Sequence, residues 1–241
     1  LEEAQGFTTQ AALLSGGGIG TYRLGVTPTL GPYLLPHILN PIHNNHADLK
    51  LYVRENPPSD LETGLINGQH DLLLTTLPIM SSELIVAPLF REPLKLALAR
   101  DHRLAKKPII KREDLLGEPV LTLSEHHLFH RQITELCEQV GAPVLRDYEG
   151  TSLDTLRQMV VMGMGVAFLP ALYTKSEIRN EEELRVADVE GISVFRNHAL
   201  VWRNTSPTSS FYRQLSEEIK TIIETSLTSD ILPVSAALTG D

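Results

Sequence analysis

From Thr21 onward the apolar residues fall in short runs whose spacing alternates between two periods. TYRLGVT, LKLYVRE and DLLLTTL are β-rich runs bounded by turn formers, whereas the stretch from about Pro32 to Asn45 and SDLETGLING carry helical spacing. The segment therefore reads βαβαβ. Its strand runs are apolar nearly throughout, as strands of a parallel sheet covered by helices on both faces must be. LIVAPLFREPLKLALAR, Leu84 to Arg100, is too long and too proline-broken for one straight strand. It reads as two strands or one bent one, leading out of a first lobe.

A second unit then repeats the pattern. Helix KREDLLG, strand PVLTLS, a helix from about His127 to Val140, strand VLRDYEG, a helix from Ser152 to Met162 and strand VAFLPA follow in order. After a polar helix around Tyr173 to Glu183 come LRVADV and the strand FRNHALVWRN. The last helix, SSFYRQLSEEIKTIIETSL, places Phe211, Leu215, Ile219, Ile222 and Ile223 on one face that packs back onto the first lobe. The expected fold is α/β with two lobes, residues 20–98 with 204–241 and residues 99–203, each a mainly parallel sheet flanked by helices and joined by two crossover strands. Ligands of open α/β sheets bind at the carboxyl ends of strands, so one cleft between the lobes is the expected site. Residues 1–19 read as a polar helix end, QAALLS, stopped by Gly16, Gly17 and Gly18 and followed by a flexible exit.

Composition narrows the function classes. With 42% hydrophobic and 21% charged residues and no biased tract, the chain has the make-up of an ordinary globular protein. A formal charge of -9 argues against a nucleic-acid groove on these residues, because phosphate binding needs clustered Lys and Arg. The basic stretch Arg100 to Arg112, broken by Asp101, reads as a solvated face. No run approaches a membrane span and LEEAQGFTTQ lacks a signal-peptide pattern, so no membrane partner and a cytoplasmic setting are expected. Cys137 is the only cysteine, which excludes an internal disulfide.

Four blocks carry a resemblance. GVTPTLGPYLLPHIL (Gly25 to Leu39), Pro88-Leu89-Phe90 followed by Glu92-Pro93-Leu94, GTSLDTLRQMVVMGMGVAFLPA (Gly150 to Ala171) and LVWRNTSP (Leu200 to Pro207) stand in order across most of the chain. Together they resemble the effector domains of LysR-type bacterial transcription regulators, nearest the peroxide-sensing OxyR branch. The resemblance implies a type 2 periplasmic-binding-protein-like fold, with residues 1–15 as the end of a linker helix. It also implies DNA contact only through a winged helix-turn-helix that these residues do not include, and dimers that assemble into tetramers. In that branch a reactive cysteine follows a histidine at the start of the second lobe's first helix, with a resolving cysteine farther along. Here SEHHLFHRQITELCEQVGA keeps His127 and has Cys137 at the resolving position, but Leu128 stands at the reactive one. An alkyl chain forms no thiolate, sulfenic acid or disulfide. Phe129 and His130 depart from the family as well, which favours natural divergence over a single engineered change. Pro57 and Pro58 occupy the end of the second strand, where the branch has a hydroxyl-bearing wall, and proline offers neither hydroxyl nor N–H.

The candidate site follows from these turns. Thr27, Thr29 and Gly31 open the first helix, where free N–H groups and the macrodipole favour anions, although Thr29 equally suits a simple N-cap. Ser124, His127 and Leu128 open one helix of the second lobe, and Thr151 and Ser152 another, TSLDT resembling a capping box with Asp154. Thr75 and Thr76 complete a polar rim, while Pro58 and Leu128 make the pocket more apolar than a peroxide sensor's. The expected ligand is a small polar or anionic effector, with no cofactor. His126, His130 and Cys137 share a helical face on which a metal site can be drawn, but solvated histidines and a structural cysteine account for them more simply. No G-x-S-x-G, P-loop, G-x-G-x-x-G or H-E-x-x-H occurs, so no enzyme activity is expected. A solute-binding protein of a transporter would use the same fold, an enzyme of this fold would need an acid/base pair, and a redox sensor could link subunits through Cys137; these alternatives stay open.

Overall fold

The structure is a computed structural model that describes residues 20–125, 128–145, 152–178, 183–227 and 231–234. Its first elements are β1 (Gly20–Val26), α1 (Gly31–Asn45), β2 (Leu49–Glu55), α2 (Pro58–Ile66), β3 (Leu72–Thr76), β4 (Leu84–Ala99), β5 (Ile110–Lys111) and β6 (Val120–Leu121). Then come α3 (Leu128–Val140), α4 (Leu153–Val161), β7 (Val166–Pro170), α5 (Ala171–Glu177), β8 (Leu184–Ala187), β9 (Val189–Glu190), β10 (Phe195–Arg203), α6 (Ser209–Ser226) and β11 (Leu232–Pro233). The chain forms two compact units, residues 1–91 with 197–241 and residues 92–196.

Unit 1 carries the strand order β2-β1-β3-β10-β4. β1 lies parallel to β2 from Gly20↔Leu49 to Val26↔Glu55 and parallel to β3, and β10 is antiparallel to β3 with His198 opposite Thr76. Strand alternation sorts the two faces. Tyr22, Leu24 and Val26 point one way, and Tyr22 meets Phe211 and Tyr212 of α6 at 5.7 and 5.6 Å between ring centroids. Leu73, Ala199 and Val201 point the other way, into a cluster with Leu61 and Leu65 of α2. Gly25 sits on this second face because there is no room for more. A Cβ there would stand 2.6 Å from Leu61 Cδ2 and from Leu73 Cδ2, and 3.3 Å from His70 Cγ.

His70 is buried in that slot and its Nδ1 has no hydrogen-bond partner among the described residues. Burial, and then the charges of Arg54 and Arg23, hold its imidazole below the ordinary value of 6.5. Above pH 6.5 both folded and unfolded chains keep this ring neutral; below it the unfolded chain binds a proton that the folded one resists. Stability is therefore expected to fall as pH drops through 6.5, and a His70→Gln variant, compared by urea midpoint at pH 7.5 and 5.5, is expected to lose less than the native chain. Equal losses would remove His70 from the account.

Unit 2 carries β4-β7-β6, with β7 antiparallel to β4 and parallel to β6, and β8 antiparallel to the end of β4. α4 and α5 pack on β7. The amphipathic face of α3 buries Phe129, Ile133, Leu136, Cys137 and Val140.

Several boundaries differ from those the sequence predicts. The expected helix KREDLLG is a 3-10 turn at Arg112–Leu115, and another, unpredicted, stands at Arg103–Lys106. Both are too short and too charged to bury a helical face. PVLTLS forms a strand only at Val120–Leu121, with an isolated bridge at Leu123, and of VLRDYEG only Val144 bridges within the described residues. The helix expected to reach Glu183 runs from Ala171 to Glu177. Leu84–Ala99 is one strand, with Pro88 and Pro93 inside it. The units meet in mid-strand at 91/92 and 196/197, seven residues before the expected boundaries at 98/99 and 203/204. β4 and β10 each serve both units, so no break in composition marks the crossing. The helix end expected in residues 1–19 lies outside the described residues.

Candidate effector-binding edges

In unit 1 the parallel strands β2, β1 and β3 all end on one edge, and each feeds a turn that carries predicted site residues. Thr27 follows β1. Its N–H donates to the Leu74 carbonyl at 3.3 Å, and its carbonyl accepts the N–H groups of Leu30 and Gly31 at 3.0 and 2.9 Å. Its hydroxyl is buried and has no hydrogen-bond partner among the described residues. Such a hydroxyl carries its desolvation cost uncompensated unless something outside the described residues completes it.

The amino end of α1 differs from the anion cradle that the sequence suggests. Thr29 is not its cap, since Leu30 holds the N-cap position and supplies no side-chain hydrogen bond. The orphan donors are already used: Leu30 and Gly31 give theirs to Thr27, Pro32 has none, and Tyr33 and Leu34 donate to the Leu30 carbonyl at 3.2 and 2.9 Å. A Cβ on Gly31 would lie 2.7 Å from Glu55 Oε1, so a carboxylate of the chain itself borders the turn. Pro57 and Pro58 do not end β2 as expected. They are the N-cap and first residue of α2, where a missing N–H costs no helix bond.

At the end of β3, Thr75 and Thr76 are both buried. Thr76 Oγ1 lies 3.3 Å from Nδ1 of His198, whose ring packs against Phe90 at 4.7 Å between centroids. His198 is fully buried and was not among the predicted site residues. Its only sequence signal is a histidine inside the apolar run of β10.

Unit 2 presents a second edge. Thr122, immediately after β6, is buried with its hydroxyl unpartnered among the described residues, another position that sequence reasoning missed. Ser124 is half-buried, and Leu128 is the half-buried first residue of α3; His126 and His127 lie outside the described residues. Ser152 caps α4, its Oγ accepting the Thr155 N–H at 3.2 Å. The expected capping box with Thr151 and Asp154 is therefore replaced: Thr151 lies outside the described residues, and Asp154 Oδ1 accepts from the Tyr173 hydroxyl at 3.0 Å.

Cys137 is a core residue. It is 1% exposed on the inner face of α3, and burial, with a smaller contribution from Glu138, pushes its thiol up to about 11. A linkage between subunits through this sulfur, left open by the sequence, would require Cys137 to leave this buried position. At pH 8 a thiol at about 11 is ionised in only about one molecule in a thousand. Labelling of Cys137 by a disulfide reagent is therefore expected to run at least about a hundredfold slower in the folded chain than in urea. Near-equal rates would contradict its burial. The face drawn for a metal is not assembled among the described residues, because Cys137 is turned inward and His126 lies outside them.

At the border of unit 2 is a pair that the sequence did not flag. Glu92 and Arg196 are both buried, with Arg196 Nη1 3.4 Å from Glu92 Oε2. Glu92 Oε1 also accepts the Leu172 N–H at 2.9 Å, and the Arg196 guanidinium lies 5.9 Å from the centroid of the Phe129 ring. Burial lowers the pKa of Arg196 and the Glu92 charge raises it.

Residues 15–222 match the model of the LysR substrate binding domain. The DNA-binding transcriptional dual regulator OxyR of Escherichia coli K12 is 35% identical over 201 residues, covering 83% of this chain and 66% of that protein. The hydrogen peroxide-inducible genes activator of Pectobacterium carotovorum is also 35% identical over 201 residues, with the same coverage. The chain thus spans just under two thirds of the length of these relatives, which are regulators and not enzymes. Among solved structures, oxidised OxyR superposes with a TM-score of 0.77 at 34% identity, and reduced OxyR with 0.78 at 33%. Each covers 87% of this chain and 98% of the other. The type 2 periplasmic-binding-protein-like fold that the four sequence blocks imply is the one observed, and the chain belongs to the LysR substrate binding domain family, with OxyR regulatory domains as its structural neighbours.

Proposed function

We propose that this domain is the effector-sensing part of a cytoplasmic bacterial transcription regulator that self-associates as a dimer or tetramer, and that its effector is a small polar molecule bound without covalent chemistry. The buried, unpartnered hydroxyl of Thr27 at the carboxyl edge of the parallel strands supports this most directly. The amino-terminal donors of α1 are already used and Glu55 borders the turn, so an effector at this edge is recognised by hydroxyls. A neutral polar ligand fits that chemistry better than an anion. Leu128 removes the thiol at the position where the resemblance places a reactive one, and Cys137 is buried. DNA contact belongs to the part of such regulators outside this family match. Effector binding acts by preferring one of two states of the whole protein.

Native mass spectrometry of the domain, with and without hydrogen peroxide, tests the proposal. A co-purified or added small polar molecule retained as a stoichiometric adduct, with no peroxide-dependent oxygen on the Cys137 peptide, is the expected result; oxygen on the exposed Met80, Met162 and Met164 does not bear on it. Oxygen addition mapped to Cys137 or a reductant-reversible dimer through it would overturn the non-covalent reading.

A further inference from the structure

We propose that Glu92 and Arg196 are positioning residues that tie the start of α3 to the two strands by which the chain enters and leaves unit 2, so that a displacement of α3 moves β4 and β10 with it.

The placement of the pair is specific. Glu92 is the first residue of unit 2 and Arg196 the last, so the pair joins β4 to β10 where the chain crosses. Glu92 is 0% exposed and Arg196 4%, so neither charge is relieved by water and each is held by its partner. Two further contacts bring α3 into the assembly. The Phe129 ring, one residue after Leu128, covers the guanidinium, and Gln132 Nε2 donates to the Phe195 carbonyl at 2.7 Å. α5 is joined through the Leu172 N–H. Each link is directional: a planar guanidinium offers a fixed fork and a flat face, and a carbonyl accepts from a limited cone. Apolar packing around α3 spreads the cost of a small slip over many individually weak contacts. A buried charge cannot leave its partner so cheaply, and a chain of such contacts between rigid elements is a means of carrying a displacement. The relevance to regulation rests on the reading of Leu128 as an effector-site position, but the mechanical link stands on the geometry alone.

Hydrogen exchange of the whole chain, followed by mass spectrometry, tests the link without a ligand. Phe129→Leu removes the ring from the guanidinium. In the native background it is expected to raise exchange in peptides covering 90–98 and 195–201 at least about tenfold, as well as in α3. In the Glu92→Leu/Arg196→Met background, where the pair is replaced by apolar groups of similar size, the same substitution is expected to raise exchange in α3 alone. Should that background not fold, Arg196→Lys serves in its place, since it keeps the charge and loses the flat face, and reduced propagation is again expected. An effect confined to α3 in the native background, or equal propagation in both backgrounds, would overturn the inference. Because no effector enters the measurement, its failure leaves the effector reading intact, and that reading is decided separately by the adduct experiment.

Discussion

Glu92→Ala is expected to lower the unfolding free energy by about 3–5 kcal/mol, the range for breaking a buried ion pair from one side. The magnitude comes less from the lost attraction than from what is left behind. Arg196 would remain 4% exposed without the carboxylate of Glu92, and the Leu172 N–H would lose the oxygen that accepts it. Urea denaturation followed by far-UV circular dichroism measures the loss. The paired replacement Glu92→Leu/Arg196→Met is expected to recover about 2 kcal/mol of that loss, because it leaves no charge buried; the Leu172 N–H still lacks its acceptor. A loss under about 1 kcal/mol for Glu92→Ala would mean that water reaches Arg196 and that the pair is not the closed contact described.

Trp202→Ala is expected to cost a similar amount, about 3–5 kcal/mol, through a different mechanism and in the other unit. The indole is completely buried in β10, its Nε1 donates to Ser209 Oγ at 2.8 Å, and its ring meets Tyr212 edge-on at 6.0 Å. Tyr212 in turn touches Tyr22 and Phe211, so one indole supports the packing of α6 on β1. Truncation removes the transfer energy of the ring, leaves a cavity and leaves Ser209 without its donor. Hydrogen exchange is expected to show the loss of protection mainly in peptides from 20–76 and 209–227, with those from 104–190 less affected. Equal loss across both sets would mean that the units unfold as one.

The sequence carried the outline of both units because strands and helices there bury regular faces. LKLYVRE is bounded within the chain as predicted, and α1 starts one residue from its expected position. Periodicity fails where an element is too short to show a period, as at Arg112–Leu115, and where a strand changes units without changing composition, as β4 and β10 do. The site was legible in part. Thr27, Thr75, Thr76 and Ser152 were picked out because hydroxyl residues at strand ends and helix starts are recognisable locally, though which of them is a cap and which is left unpartnered depends on the backbone. Thr122 was hidden inside the run PVLTLS, because the strand ends at Leu121 and not at its predicted end. Glu92 and Arg196 are 104 residues apart, and their pairing appears only when β4 and β10 are known to be neighbours. Leu128 was found by resemblance alone.

Unit 1 is built from both ends of the chain, residues 1–91 and 197–241, with all of unit 2 between them. A ribosome releases these residues in order, so of the two units the middle one can be completed first. β3 waits for β10 throughout the synthesis of more than a hundred residues, with the edge that will pair Leu73 to Val201 open and apolar. An unpaired apolar edge is the kind of surface that strands of other chains join. The nascent protein therefore passes through an interval of heightened aggregation risk that ends only when α6 has emerged to cover Tyr22, and holding chaperones would act on it during that interval.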